Sequence, residues 1–114
     1  MMELPVLEGP YEFLDVPTGR SVTLHPIRWE IGRVEFHPPW RTEGVLEWAR
    51  VLRLHLPTTE KPTYPYWFDV GQKTLVPQLE ALLPRARAEG VGIIIEAVGS
   101  GPKKRFSVGT ERAP

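Results

Sequence analysis

The fold class is decided by residues 74–108, which read TLVPQLEALLPRARAEGVGIIIEAVGSGPKKRFSV. In the first half of this stretch, apolar residues recur at helical spacing and predict a helix over about residues 74–89. Its apolar face consists of Leu75, Leu79, Leu82, Leu83 and Ala86. Thr74 is expected to cap the helix, Gly90 to end it, and Pro84 to kink it or end its regular part.

The second half of the stretch predicts a closing β-hairpin. Residues 91–98 are predicted as a strand that is buried on at least one face. Residues 99–102 supply a turn, and a last strand is predicted over about residues 104–108. The hairpin therefore follows the helix directly and ends the domain.

Strands and turns are predicted for the amino-terminal half. Residues 11–16, 21–27 and 28–37 have strand character, and residues 17–20 form a turn between the first two strands. The apolar phase of the third strand changes at Gly32, which predicts a β-bulge there.

The middle of the chain joins these two halves. Residues 43–56 are ambiguous between helix and strand, and their spacing favours a strand over about residues 49–56. Residues 57–65 contain three prolines and are predicted as a loop. The sequence thus predicts one α+β domain over residues 1–114, with a mostly antiparallel, bent sheet of five or six strands and one principal helix. The order of elements is also that of a small OB-like barrel with Gly32 at a corner, an analogy that carries no function by itself.

Composition excludes several classes of protein. Fourteen basic and fourteen acidic residues give a formal net charge of zero, which excludes a uniformly basic binder. Cysteine is absent, which excludes disulfides and thiolate chemistry. No apolar run is long enough for a signal peptide or a membrane span, so we expect a soluble, cytoplasmic protein. The lack of asparagine and the 13 prolines favour a thermophilic source, with a GC-rich genome as the alternative.

Residues that could carry catalysis are few. His25, His37 and His55 lie far apart at predicted strand ends, where surface positions are expected more often than metal ligands. The serines lack the G-x-S-x-G pattern, and the aspartates are limited to Asp15 and Asp69. We therefore expect a protein that is not an enzyme and that holds no metal and no cofactor.

Two groups of cations are candidate phosphate contacts. Lys103, Lys104 and Arg105 are three consecutive cations on the predicted hairpin, where they can contact a nucleic-acid backbone or simply protect an edge strand from aggregation. Lys73 precedes the predicted helix and is a further candidate phosphate contact, the alternative being a solvated lysine beside the helix cap.

Aromatic residues cluster at the end of the proline-rich loop. Tyr64, Tyr66 and Trp67 are candidate stacking residues, because exposed rings bury a large area at little entropic cost. Trp40 lies in a second loop, and Trp40 and Trp67 are candidate interface residues.

Two classes of function follow from these residues. The first is a small, non-catalytic nucleic-acid-binding module that prefers single strands, with the cations on phosphates and the aromatic rings on bases. The alternative is a protein-interaction, assembly or inhibitor module, whose aromatic loop docks on a partner protein or on a second copy of the chain to form a homodimer.

Overall fold

Six strands and one α-helix make up the regular structure of the described residues. The structure is a computed structural model that describes residues 3–37 and 46–111. In chain order, the elements are β1 Ser21–Leu24, β2 Arg28–Phe36, β3 Glu47–His55, β4 Trp67–Val70, α1 Leu75–Glu89, β5 Ile93–Val98 and β6 Arg105–Thr110. A single 3-10 turn, Gly101–Lys103, lies between the last two strands.

The strands are divided between two antiparallel, three-stranded sheets instead of forming one bent sheet. Sheet A has the strand order β2-β3-β4, and sheet B has the order β1-β5-β6. This arrangement confirms the α+β class, the principal helix and the carboxyl-terminal hairpin. The OB-like barrel is not confirmed, because neither sheet closes on itself within residues 3–37 and 46–111.

Both sheets and α1 share one hydrophobic core. The helix contributes Leu75, Leu79, Leu83 and Ala86, whereas Leu82 of the predicted face is only partly buried. Sheet A contributes Leu52, Leu54 and Val70, and sheet B contributes Leu24, Ile93, Ile95 and Ala97. Full burial of one leucine or isoleucine side chain contributes about 1.5–3 kcal/mol, so this shared core holds the three layers together.

The predicted beginning and end of α1 are confirmed, and the predicted capping bond of the Thr74 side chain is wrong. Gly90 takes a left-handed backbone with φ 68° and ends the helix. Thr74 already has helical backbone angles and makes no side-chain capping bond, because the first helical turn begins upstream, where the amide of Val76 donates to the carbonyl of Gln72. The helix also continues through Pro84, whose predicted role as an end point is wrong.

Residues 5–14 form a strap across the outer face of sheet A, the face turned away from the shared core. At one edge of the sheet, the amide of Leu7 donates to the carbonyl of Arg33 on β2 at 3.0 Å. At the other edge, the amide of Leu14 donates to the carbonyl of Asp69 on β4 at 3.0 Å. The strap therefore connects the two edge strands that flank β3.

The predicted first strand is wrong, and the predicted turn after it is confirmed. Residues 11–16 make one isolated parallel bridge, between Phe13 and Asp69, because the chain follows the edge of β4 only from Glu12 to Leu14. In the turn that follows, the amide of Arg20 donates to the carbonyl of Pro17 at 3.0 Å.

Gly32 leaves space for the strap and does not form a bulge. The pairing of β2 with β3 continues without interruption along all of β2, so the predicted bulge is wrong. A Cβ at Gly32 would lie 2.5 Å from Cγ of Leu7 and 2.6 Å from the carbonyl oxygen of Pro5. The missing side chain is thus what allows the strap to pack directly on β2.

Substitution of Gly32 tests this packing. We expect Gly32→Ala to lower the free energy of unfolding by about 1–3 kcal/mol in urea titrations, because the added methyl group must displace the strap. Gly109→Ala in β6 is the matched control, since a Cβ there meets nothing within 4 Å, and its effect should stay within about 0.5 kcal/mol. Equal effects of the two substitutions would contradict the assignment.

A histidine between two carboxylates connects β1, β6 and the loop after β3. Nδ1 of His25 lies 2.7 Å from Oε2 of Glu60, and Nε2 lies 3.0 Å from Oε1 of Glu111. The hydrogen bonds with Glu60 and then Glu111 raise the pKa of His25 above its usual 6.5. The hydrogen bond with His25 lowers the pKa of Glu111 below its usual 4.5.

These two pKa shifts define a pH window for the stability that His25 provides. The contribution of His25 is complete below its unfolded pKa of 6.5 and is lost as pH rises through the higher folded pKa. The contribution of Glu111 is complete above 4.5 and is lost as pH falls through its lower folded pKa. His25→Gln should therefore destabilise the protein most between pH 4.5 and 6.5.

Urea unfolding between about pH 4 and about pH 9 measures this dependence. The stability difference between the original protein and His25→Gln should shrink above the folded pKa of His25. His37→Gln serves as the control, because His37 is exposed at the end of β2. A difference that does not vary with pH would contradict the expected linkage.

Candidate functional surfaces

A buried ion pair lies beneath the strap. Arg53 is 2% exposed and Asp69 is fully buried. Nε of Arg53 donates to Oδ1 of Asp69 at 2.8 Å, and Nη2 donates to Oδ2 at 3.3 Å. Each partner also binds the strap backbone: Nη1 of Arg53 donates to the carbonyl of Glu8 at 2.7 Å, and Oδ2 of Asp69 accepts from the amide of Glu12 at 3.1 Å. The pair thus joins β3, β4 and the strap.

Trp67 forms a wall beside this ion pair. The guanidinium carbon of Arg53 lies 4.5 Å from the centroid of the Trp67 ring system, within the range of a cation-π contact. The indole N–H of Trp67 donates to the carbonyl of Pro10 at 3.0 Å. Gly9 passes so close that a Cβ there would meet the indole ring at 3.1 Å. Trp67, predicted as a stacking and interface residue, is therefore half-buried against the strap.

A second charged group lies at the same end of sheet A. Nε2 of His55 lies 2.6 Å from Oε2 of Glu30, and Nη1 of Arg28 lies 3.4 Å from the same oxygen. These three side chains, Arg53, Trp67 and residues 5–8 of the strap line a cavity of about 370 Å³, called here the strap cavity.

Sequence reasoning missed the strap cavity. The missed signal is the alternation of Arg53 and His55 with leucines in VLRLHL, residues 51–56. A strand with apolar residues on one face and polar residues on the other ordinarily exposes its polar face to solvent. Here residues 51–55 are buried on both faces, because the strap covers the polar one.

The ion pair makes a strong stability prediction. Asp69→Ala should lower the free energy of unfolding by about 3–5 kcal/mol, because it leaves the Arg53 guanidinium buried without a counter-charge. The double variant Arg53→Met/Asp69→Leu should cost less, since no charge is then left buried. Urea titration of both variants provides the measurement, and Arg85→Ala, which removes an exposed pair with Glu89, is the control. A larger loss in the double variant would contradict this account.

A second surface, the Trp48 groove, lies at the opposite end of β3. Trp48 is 50% exposed, and the guanidinium carbon of Arg33 lies 4.7 Å from its ring centroid. Arg50 is the cross-strand partner of Arg33, and its Nη2 lies 3.9 Å from a carboxylate oxygen of Glu80 on α1. Trp48, Arg50, Glu80 and Lys73 line a groove of about 510 Å³. Of these residues, only Lys73 was a candidate from the sequence.

The basic hairpin lies beside the first turns of α1. The predicted phosphate contacts there are Lys103, Lys104 and Arg105, and the first and last of these are exposed. Nζ of Lys104 lies 5.4 Å from the centroid of the Phe106 ring, which packs against the core. Nε2 of Gln78 donates to the carbonyls of Phe106 and Thr74, so the hairpin is fixed next to the start of α1, where Lys73 lies.

The aromatic loop lies elsewhere. Tyr64 is 60% exposed, Tyr66 is 39% exposed, and their ring centroids are 5.6 Å apart. Glu60 of this loop contacts His25, which in turn contacts Glu111, just after the carboxyl end of β6. A strand of 6 residues is about 17–20 Å long, so β6 separates the loop from the basic residues at its start. Trp40, the other candidate interface residue, lies outside the described residues.

Comparison with protein-family models, curated proteins and solved structures finds no match for this chain. Within the two described ranges, no helix is both long and apolar enough to cross a membrane. The same residues contain no group of three or more His, Cys, Asp or Glu side chains that could hold a metal ion.

Proposed function

We propose that the chain is a small nucleic-acid-binding module that binds single strands at the Trp48 groove. The observation that carries this proposal is the half-exposed indole of Trp48 in a groove that Arg50 and Lys73 also line, with Arg33 against the ring. An exposed ring can stack on an unpaired base, and this contact contributes about 1–3 kcal/mol per base. In this proposal, the neighbouring cations bind the phosphates on either side.

The distribution of unpaired cations supports the same surface. Lys73, Lys103 and Arg105 have no carboxylate partner among residues 3–37 and 46–111, whereas Arg28, Arg53 and Arg85 are each paired. Lys73, Lys103 and Arg105 lie near the place where the hairpin meets the start of α1. A nucleic-acid strand that leaves the Trp48 groove past Lys73 would meet the hairpin next.

Acidic residues in and beside the groove favour modest, selective binding. Glu80 pairs with Arg50, and Glu35 is the cross-strand partner of Trp48. Their charges reduce the attraction for the closely spaced phosphates of a duplex. Stacking on Trp48 requires an unpaired base, so we expect single strands to bind more tightly than duplexes.

Fluorescence anisotropy with a labelled single strand of about 12 nucleotides tests the proposal. Trp48→Ala should weaken binding by about 5- to 150-fold, in line with the loss of one stacking contact. Lys73→Ala should lower the slope of log K against log salt by about 0.7, the value for one lost phosphate contact. The same assay with a duplex should give the weaker affinity.

Two matched controls separate the groove from general effects. Tyr64→Ala removes an exposed ring outside the groove, and Arg85→Ala removes an exposed cation from α1; neither should change the affinity. Circular dichroism should show that every variant is folded. Absence of binding at low salt, or equal losses in Trp48→Ala and Tyr64→Ala, would refute the proposal.

A protein-interaction module is the second candidate, and the aromatic loop favours it. Tyr64 and Tyr66 are exposed, and the loop that carries them is anchored by the buried Lys61. Nζ of Lys61 donates to the carbonyl of Pro65 and lies 3.1 Å from a carboxylate oxygen of Glu12. A fixed loop with exposed rings suits docking on a partner. Light scattering after size exclusion tests a homodimer: Tyr64→Ala should lower the mass only if the loop is the interface.

A further inference from the structure

The strap cavity contains hydrogen-bond donors that the fold does not use. An arginine side chain has five N–H donors. The guanidinium of Arg53 makes three hydrogen bonds, two with Asp69 and one with the carbonyl of Glu8. Two of its N–H groups thus have no partner within the described parts of the chain, although the residue is 2% exposed.

Arg28 adds a second guanidinium at the mouth of the same cavity. Its side chain is 61% exposed, and its contact with Glu30 is long, at 3.4 Å. Glu30 is held more closely by His55, at 2.6 Å. Arg28 is thus the more loosely held of the two partners of Glu30, and its exposed side chain is free to turn toward a ligand.

The cavity contains more charged and polar side chains than are needed to attach the strap. The Arg53–Asp69 pair already holds the strap to β3 and β4. Arg28, Glu30 and His55 make no hydrogen bond or ion pair with the strap, and they line the cavity beside it. The volume of this cavity lies within the range of small-molecule sites, and several polar groups converge on it.

We propose that the strap cavity binds a small molecule that carries an oxyanion, either a carboxylate or a phosphate. The two spare N–H groups of Arg53 and the guanidinium of Arg28 donate to the oxyanion. Guanidinium groups form the short, charge-assisted bonds that such oxygens prefer. This site is independent of the Trp48 groove, which lies at the other end of β3.

Titrations with inorganic phosphate and, separately, with sodium acetate test the proposal on the full chain. Sodium chloride keeps the ionic strength constant, and two-dimensional ¹H–¹⁵N spectra report the indole N–H of Trp67 and the Nε–H of Arg53. Both signals should shift and saturate, with a dissociation constant on the order of 1 mM. Saturation by phosphate alone assigns a phosphate ligand, and saturation by acetate alone assigns a carboxylate. Saturation by both supports the shared oxyanion chemistry.

Substitutions then locate the binding. Arg28→Gln should weaken binding about tenfold, in line with the loss of one charge-assisted interaction, and should keep the fold because Arg28 is exposed. Arg85→Gln, the matched exposed arginine on α1, should bind as the original protein does. Shifts that grow linearly without saturation, or equal affinity in the Arg28→Gln and original proteins, would overturn the proposal. Oligonucleotide binding by Arg28→Gln should be unchanged. Failure of the oxyanion proposal is therefore distinguishable from failure of the proposed nucleic-acid binding at the Trp48 groove.

Discussion

The buried ion pair between Arg53 and Asp69 is the interaction on which the outer side of sheet A depends. It joins β3 to β4 and fixes the strap through the carbonyl of Glu8 and the amide of Glu12. A buried ion pair adds little net stability compared with apolar residues of the same size, but loss of one partner is costly. The two backbone contacts of the pair hold the strap in place, and residues 5–8 of the strap form one side of the cavity.

The two faces of β3 contact chemically different environments. The inner face of β3 contributes Leu52 and Leu54 to the shared core, and its outer face contributes Arg53 and His55 to the strap cavity. Beyond the core, the inner face continues to Trp48, which is half-exposed. One strand thus connects a buried polar cluster at its carboxyl end with an exposed groove at its amino end.

The extent to which the sequence predicts this structure depends on the range of the interactions. Helical spacing predicted α1, and the β-branched run before Gly99 predicted β5, because both patterns are local. The strap depends on distant contacts such as Leu7 with Arg33, and the division into two sheets depends on distant strand pairs such as β1 with β5. Neither kind of contact leaves a periodic pattern in the sequence. The phase change at Gly32 reflects a real feature of β2, but its cause is not a bulge. The glycine leaves room for a distant segment, the strap, which packs directly on the strand.

The candidate sites also differ in whether they depend on local or distant residues, and folding likewise determines how the balanced charges are distributed. The cations at positions 103–105 were visible as a run, whereas the Trp48 groove needs β2, β3 and the start of α1 to meet in space. Carboxylates such as Asp69 and Glu60 are used in internal pairs, so they do not offset the cations at the start of α1 and on the hairpin. An electrically neutral chain can thus present a locally basic surface, because folding determines which charges are paired.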